Sequence, residues 1–165
     1  MIKYMKTFVI ADTHFNHENI IKYCNRPFKD SKQMNEYIIQ KWNETVRLVD
    51  TVYHLGDVGF GTYEQLKGLI GRLNGTKILL IGNHDFKTGV NLWKNIGFKD
   101  VYKRKIELGK YILTHEPIHV DKEQINIFGH IHEKPLDGIF DKDNHFCVCC
   151  DVLNYIPIEL EKIML

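Results

Sequence analysis

The 165-residue sequence has no long apolar run, no run of like charges and no repeat, and each of these absences excludes a class of protein. No apolar stretch approaches the ~20 residues that a helix needs to cross a bilayer. The formal net charge is only +1, and no basic cluster of the kind that binds duplex DNA or an anionic membrane is present. The first residues lack the apolar segment of a signal peptide. We therefore expect a cytoplasmic protein with no membrane partner and no strong nucleic-acid partner.

Cysteine is scarce, with four residues in the chain, and three of them fall in one segment as Cys147, Cys149 and Cys150. This spacing suits no regular disulfide framework, so it favours buried thiols in a reducing compartment. A zinc site built on Cys147 and Cys149 is the alternative, although no second Cys/His pair at ligand spacing follows them. No feature of the sequence predicts an oligomeric state.

Apolar runs alternate with helical patterns in the first half of the chain, and strands dominate the second half. The predicted strands are 7–11, 51–55, 77–81, two within 101–113, 125–128, 145–151 and 156–160. The predicted helices are 63–70, 90–96 and a longer one that carries Met34 to Val49. Asp30 or Ser31 can cap the start of this longer helix. The early order predicts a largely parallel sheet with covering helices. The later links are too short for helical crossovers, so the second sheet should be mixed or antiparallel. We expect an α/β fold in a single domain, 1–165.

Nine histidines are present, and most of them lie in short polar segments that follow predicted strands. The segments are Asp12-Thr13-His14, Gly56-Asp57, Gly82-Asn83-His84-Asp85, Thr114-His115 and Gly129-His130-Ile131-His132. Open α/β sheets place their sites outside the carboxyl ends of the strands, so these distant residues can converge at one edge. On extended chain, the two side chains of a D-x-H or H-x-H pair would point the same way. Mixed histidine and carboxylate ligands suit manganese, iron, zinc or nickel.

The five segments resemble the motifs of the calcineurin-like metallophosphoesterases, D-x-H, G-D, G-N-H-[DE], H and G-H-x-H, in the same order. The resemblance implies a four-layer α-β-β-α sandwich of two mixed sheets and two divalent metals, with manganese favoured and iron, zinc or nickel as alternatives. It implies one metal on Asp12, His14 and His132, a second on Asn83, His115 and His130, and a bridge at Asp57. Many members carry a second Asp three residues after G-D, where this chain has Phe60.

The resemblance further implies a catalytic role for His84 and one for Asp85, which would orient His84. A turn residue or helix N-cap is the alternative for Asp85. We also predict that Asn83, with His17 or Arg26, contacts a substrate phosphate. For His17 and Arg26, a solvated loop beside Pro27 is the alternative.

We predict a metal-dependent phosphoesterase in which a hydroxide held between the metals attacks phosphorus. The chain leaves little length for a cap domain over the site, which mildly favours phosphodiesters or nucleotide-like substrates. A phosphomonoesterase of the same mechanism is the alternative. A non-catalytic metal-binding scaffold is less favoured because His84 and every ligand position are present. A DNA-processing nuclease is less favoured because additional DNA-binding segments are absent.

Overall fold

The computed structural model describes residues 4–163. The strands are β1 Thr7–Ile10, β2 Thr51–His54, β3 Thr76–Leu80, β4 Asp100–Tyr102, β5 Lys105–Leu108, β6 Tyr111–Thr114, β7 Ile125–Phe128, β8 His145–Cys147 and β9 Ile158–Glu159. The helices are α1 Glu18–Tyr23, α2 Ser31–Thr45, α3 Tyr63–Ile70 and α4 Val90–Ile96. The expectation about a signal peptide concerns residues 1–3 in part, and those residues lie outside the described chain.

Two mixed sheets form the centre of the molecule, which confirms the predicted α/β class. The first sheet has the order β4-β3-β2-β1-β9, with β1 to β4 parallel and β9 antiparallel to β1. The second has the order β5-β6-β7-β8, with only the β5–β6 hairpin antiparallel. The carboxyl ends of the parallel strands in each sheet therefore lie at one edge, where loops can carry a site.

Alternation along the strands divides the apolar core into two parts. Phe8 and Ile10 of β1 pack with the helices, in a cluster that includes Met34, Ile38 and Trp42 of α2. The residues of opposite parity on the first sheet face the second sheet. That inner cluster consists of Val9, Ala11, Leu55, Leu80, Ile106, Leu113, Ile125, Ile127, Val148, Leu160 and Ile163. The two sheets are thus held face to face, and the helices cover the first sheet.

All four α-helices of the described residues precede β5 in the chain, so loops cover the outer face of the second sheet. Phe128 points to that face, opposite to its buried neighbour Ile127. His145 packs on Phe128, with ring centroids 6.4 Å apart, and Phe140 packs on His145, with ring centroids 5.2 Å apart. Within residues 4–163, no helix lies between β5 and β8.

Capping explains where the longer helices begin. The Asp30 carboxylate accepts a hydrogen bond from the Gln33 amide at 2.7 Å, so Asp30 is the cap that begins α2. Thr62 and Gln65 form a reciprocal capping box at the start of α3. The prediction that α2 extends to Val49 is wrong, because the helix ends at Thr45 and Val49 is 60% exposed.

The strand predicted over 145–151 is shorter than expected, and its second half crosses between the sheets. β8 ends at Cys147, after which the chain runs beside Ala11 of the first sheet. The Ala11 amide donates to the Val148 carbonyl, and the Cys150 amide donates to the Ala11 carbonyl, both at 2.8 Å. This pairing brings Asp151 next to the residues that follow β1.

Among the described residues, no helix is both long and apolar enough to cross a membrane.

Candidate metal centre

The five polar segments meet at the edge where both sheets end. Asp12, Asp57 and Asn83 follow β1, β2 and β3 of the first sheet, whereas His115 follows β6 of the second. His130 and His132 follow β7. The face-to-face packing of the sheets therefore brings together side chains that are up to 120 positions apart in the sequence.

One group of donor atoms comes from Asp12, His14 and His132, whose ligand atoms lie within 4.8 Å of one another. The Asp12 Oδ1 atom is 3.7 Å from His14 Nε2 and 3.9 Å from His132 Nε2. Two donors bound to one cation at ~2.0–2.2 Å each are separated by about 3–4 Å. This spacing is therefore the one that a shared transition metal requires.

A second group comes from Asp57, His115 and His130. His115 Nε2 lies 3.6 Å from Asp57 Oδ2, 3.3 Å from His130 Nδ1 and 2.8 Å from the side-chain oxygen of Asn83. Carboxylate, imidazole and amide donors thus converge on one point. The pairs D-x-H and H-x-H behave differently, because Asp12 and His14 share a group while His130 and His132 belong to different groups.

Asp57 lies between the two groups. Its Oδ2 atom is 3.6 Å from His115 Nε2 of the second group and 3.8 Å from His14 Nε2 of the first. Its Oδ1 atom accepts a hydrogen bond from the His84 amide at 2.9 Å, which fixes the carboxylate. One oxygen of Asp57 is therefore within reach of cations in both groups.

Two buried polar atoms of the first group, Asp12 Oδ1 and His14 Nε2, have no hydrogen-bond partner among residues 4–163. A buried polar atom without a partner costs roughly 1–3 kcal/mol, so such atoms are rare unless something else satisfies them. A cation held by Asp12 and His14 would satisfy both atoms. Burial disfavours ionisation of Asp12, but the nearby ring of His14 at 3.7 Å and the charges of His115 and His132 outweigh it and lower the pKa of Asp12 below its usual value. The residues present thus fit a divalent metal.

The backbone at the centre is in an uncommon conformation. Asp12, His14, Asp57, His130 and His132 all have positive φ, between 50° and 69°. Non-glycine residues adopt this left-handed region rarely and at a cost, and such residues cluster at functional sites. The expectation that the D-x-H and H-x-H pairs lie on extended chain is wrong, because left-handed turns aim these side chains instead.

Two glycines allow backbone to approach the carboxylates. A Cβ at Gly82 would collide with Asp57 Oδ1, and a Cβ at Gly129 would collide with Asp12 Oδ2 and with the side chain of Ala11. The loop after β3 and the loop after β7 can therefore reach the ligands only with glycine at these positions.

Several contacts orient the ligand side chains. The Nδ1 atom of His115 is 2.7 Å from the Leu55 carbonyl oxygen, so Nε2 is left for a metal. His132 Nδ1 is 2.6 Å from Asp151 Oδ2, which leaves His132 Nε2 facing Asp12. The Cys149 thiol donates to Asp12 Oδ2 at 3.1 Å. Such carboxylate and carbonyl partners fix the ring orientation and tautomer of metal-binding histidines.

Asp85 joins two of the ligand loops. Its Oδ2 atom accepts hydrogen bonds from the amides of Asp57, at 2.7 Å, and Gly82, at 2.9 Å, and its Oδ1 atom accepts one from Val58 at 3.0 Å. Burial raises the pKa of Asp85 to about 6, although the three amides favour the charged form. Both oxygens are thus engaged by backbone, which contradicts the expectation that Asp85 orients the His84 ring.

Arg26 lies beneath the centre, and the prediction that it contacts a substrate phosphate is wrong. Its side chain is 0% exposed and pairs with both oxygens of Asp151, at 2.6 and 3.1 Å. The remaining donors go to the carbonyls of Asp12 and Thr13 and to the sulfur of Met34. Arg26 therefore holds Asp151, which in turn holds His132.

His84 and His17 lie at the rim of the centre. The His84 side chain is 46% exposed, and its Nε2 atom is 3.8 Å from Asp57 Oδ2. His17 Nδ1 is 3.3 Å from His14 Nδ1, and the His17 ring packs on Phe60 with centroids 4.4 Å apart. Burial, then the charges of His14 and His84, lowers the pKa of His17 to about 4. Both histidines thus border the centre, and contact of His17 with a substrate phosphate stays a prediction.

Three residues at the centre were not predicted from the sequence as part of this site, namely Asp151, Phe60 and Cys149, the last of which was considered only for a separate zinc site. Asp151 had a signal, because it ends a predicted strand just as the other carboxylates do. Cys149 had none, since its contact with Asp12 depends on the crossing segment between the sheets. Within the described part of the chain, Cys147 and Cys149 belong to no group of three ligand side chains, so the structure does not support the zinc alternative.

Comparison with known proteins agrees with this geometry. The family model that matches residues 5–159 is that of the calcineurin-like phosphoesterases. An uncharacterized protein of Methanocaldococcus jannaschii is 38% identical over 169 residues, covering 96% of this chain and 89% of that protein.

Solved structures that are similar to this chain include one from Aquifex aeolicus and one from Pseudomonas putida. A protein of unknown function from Aquifex aeolicus is 26% identical with a TM-score of 0.74, and the match covers 97% of this chain and 98% of that one. The nuclease MPE of Pseudomonas putida is 18% identical with a TM-score of 0.52, covering 76% of this chain and 61% of that one. At that identity the second likeness concerns the fold alone.

Proposed function

The chain belongs to the calcineurin-like phosphoesterase family, which supports metal-dependent hydrolysis of phosphate esters, and we propose that it acts on phosphodiesters with two divalent cations. The observation that carries the proposal is the pair of donor groups with Asp57 between them. Each group brings three donor side chains within 4.8 Å of one another. Two cations about 3.5–4 Å apart are the arrangement that phosphoryl-transfer enzymes use for in-line displacement.

Asp12, His14 and His132 would hold the first cation, and Asn83, His115 and His130 would hold the second. Asp57 would offer an oxygen to both. Imidazole and carboxylate donors together suit manganese, iron, zinc or nickel, and we favour manganese because three of the seven ligands are oxygen donors.

The bound cations supply charge neutralisation at the phosphoryl oxygens and lower the pKa of a bound water to near neutrality. The protein side chains do the rest. His84 is exposed at the rim and 3.8 Å from the bridging carboxylate, so its ring can donate a proton to the leaving oxygen. Asn83 and His17 flank the phosphate. Asp85 positions Asp57 and Gly82 through their amides, so it acts on the metal ligands and has no contact with the substrate.

We favour diesters over monoesters because the described chain places open grooves, and no covering element, beside the centre. One groove of about 530 Å³ borders His132, and another of about 260 Å³ borders Asn83 and His115. A diester has a group on each side of phosphorus, and two flanking grooves accommodate both. A phosphomonoesterase of the same mechanism is the second candidate, since the metal ligands alone serve either substrate.

The test is metal reconstitution followed by a substrate comparison. Protein stripped with a chelator should be loaded separately with manganese, iron(II), zinc or nickel, and its metal content measured by elemental analysis. We expect two equivalents of metal per chain and faster hydrolysis of bis(p-nitrophenyl) phosphate than of p-nitrophenyl phosphate. The reverse preference would establish the monoesterase. Protein that binds two metals but hydrolyses neither compound, nor cyclic or linear nucleotides, would contradict the proposed activity.

A further inference from the structure

A groove of about 530 Å³ opens directly beside the metal centre. It is lined by Ile20, Tyr23, Cys24, Asn25, His132, Glu133 and Lys134. His132 belongs both to this groove and to the first donor group. A group bound in the groove could therefore be bonded directly to a phosphate at the metals. Its volume lies in the range of about 300–1,000 Å³ that small-molecule sites occupy.

The side chains that line the groove, an apolar floor with an exposed aromatic ring at its edge, suit a flat ring as ligand. Ile20 is 5% exposed and gives an apolar floor, while Tyr23 is 74% exposed at the edge. The Tyr23 ring lies edge-on to His17, with centroids 6.4 Å apart, and His17 packs on Phe60. An aromatic rim thus runs from Phe60 past His17 to Tyr23. Exposed aromatic faces beside a phosphate site are the platforms on which bases stack.

The groove is held in place by the same contacts that orient His132. Asn25, in its wall, is followed at once by Arg26, whose guanidinium pairs with Asp151 at 2.6 Å. Asp151 holds His132 Nδ1 at the same distance. The wall and the metal ligand are therefore fixed to one buried ion pair, and little ordering is needed when a ligand enters.

We propose that this groove binds the ester group that stays on phosphorus, and that this group is a flat aromatic or heterocyclic ring of the size of a nucleoside, stacked on Tyr23. The inference rests on the proposed function, since it names the substrate class of the same site. His84 does not line the groove. The group in the groove is therefore not the one whose oxygen His84 protonates when the bond between phosphorus and the leaving oxygen breaks. Asn25, Glu133 and Lys134 offer an amide, a carboxylate and an ammonium to the polar edge of the ring.

Two substrates with the same leaving group test the assignment. Thymidine 5′-(p-nitrophenyl phosphate) and methyl p-nitrophenyl phosphate both release nitrophenolate, but only the first carries a ring on the retained side. We expect Tyr23→Ala to raise KM for the thymidine ester about tenfold or more, as the loss of one stacked base does. KM for the methyl ester should stay within about twofold of the wild-type value. Tyr23→Phe should restore the wild-type KM for the thymidine ester.

The matched control is Tyr4→Ala, since Tyr4 is 83% exposed and lies outside this groove. Equal effects of Tyr23→Ala on both esters, or no effect on either, would overturn the inference. Equilibrium binding of thymidine 5′-phosphate and of inorganic phosphate to metal-loaded protein gives a second readout that needs no turnover. If the wild type hydrolyses neither ester, the proposed function fails. In that case the binding measurement still tests the groove, because Tyr23→Ala should weaken binding of thymidine 5′-phosphate but not of inorganic phosphate.

Discussion

At the scale of single residues, His84 belongs to neither donor group, although its ring lies beside Asp57 and the preceding residue, Asn83, is a proposed ligand. Its ring is 46% exposed, and its contact with Asp57 is at 3.8 Å. We expect His84→Ala to retain two equivalents of metal while kcat falls by roughly 10²–10⁴, the usual effect of losing a general acid. Elemental analysis and initial rates on a diester check both halves of this prediction.

The control for His84 is His119→Ala, because His119 is also exposed but packs on Phe140 in the outer loops. That variant should keep full turnover. Undiminished kcat in His84→Ala would remove the proposed proton donor, and loss of metal in the same variant would assign His84 to the ligands instead.

Asp151 links the buried guanidinium of Arg26 to His132 at the metal centre. It accepts from His132 Nδ1 and pairs with Arg26, so Asp151→Asn removes the charge that both partners face. We expect metal affinity to fall by about 10–100-fold, as it does when the partner of a ligating histidine is changed. Metal titration of Asp151→Asn beside Asp143→Asn, an exposed carboxylate, measures this. Equal affinities in the two variants would contradict the prediction.

Individual residues differed in how far the sequence could predict them. The ligand positions Asp12, Asp57 and His115 follow from their place after apolar strands and from the family resemblance. The contacts of Arg26 do not, because a charged residue beside a proline in a loop is usually solvated. Only the folded structure shows that Asp151 lies beside Arg26, and that the two buried side chains pair with each other instead of with water.

At the scale of elements, Asp50 joins the start of the first two strands of the first sheet. Its carboxylate is buried and accepts from the Lys6 amide at 2.9 Å, before β1, and from the amide and guanidinium of Arg47, before β2. The hydrogen bonds from the Arg47 side chain lower the pKa of Asp50 below its model-compound value of 3.8 despite burial. Ionised Asp50 therefore stabilises the folded chain.

The lowered pKa of Asp50 determines how its contribution to the stability of the folded protein depends on pH. Because the folded-state pKa is lowered, the contribution of Asp50 is complete above about pH 4 and is lost as the pH falls through the folded value. We expect Asp50→Asn to lower the free energy of unfolding by roughly 1.5–3 kcal/mol at pH 7. The difference from wild type should shrink below pH 4. Denaturant unfolding of metal-free protein at pH 7 and pH 3 measures it, with Asp121→Asn as an exposed control. A difference that is unchanged between the two pH values would rule out the ionised carboxylate as the cause.

The elements were predicted well where a strong pattern met a clear boundary. The strands near 7–11, 51–55 and 77–81 and the helices at 63–70 and 90–96 formed as expected. The end of α2 was missed because its apolar spacing continues through Val46, whose backbone has already left the helix. Val46 is buried by packing against other elements, and local periodicity does not distinguish that burial from a helical face.

At the scale of the whole molecule, the centre exists where loops of the two sheets touch. The His130 amide, from the second sheet, donates to Asp12 Oδ2, from the first, at 2.8 Å. Gly129 makes this contact possible because a Cβ there would collide with Asp12 and Ala11. We expect Gly129→Ala to separate the loops, to lower the free energy of unfolding by about 1–3 kcal/mol and to reduce metal binding in both groups.

Gly68→Ala is the matched control, since a Cβ at Gly68 in α3 meets nothing within 4 Å. That change should stabilise the protein by roughly 0.5–1 kcal/mol, because alanine loses less backbone entropy than glycine in a helix. Thermal unfolding and metal titration of both variants give the comparison. Normal metal affinity in Gly129→Ala would mean that the two loops can shift without disturbing the ligands.

By itself, the sequence determined the α/β class, the strand ends that carry ligands and the kinds of donor available, because apolar periodicity and polar segments are local properties. The tertiary structure decided which donors lie close together, which carboxylate lies between the groups and which charges are buried. Those outcomes depend on two sheets packing face to face and on left-handed turns that aim each side chain. Distances of 3–4 Å between residues that are far apart in the chain follow only from that packing.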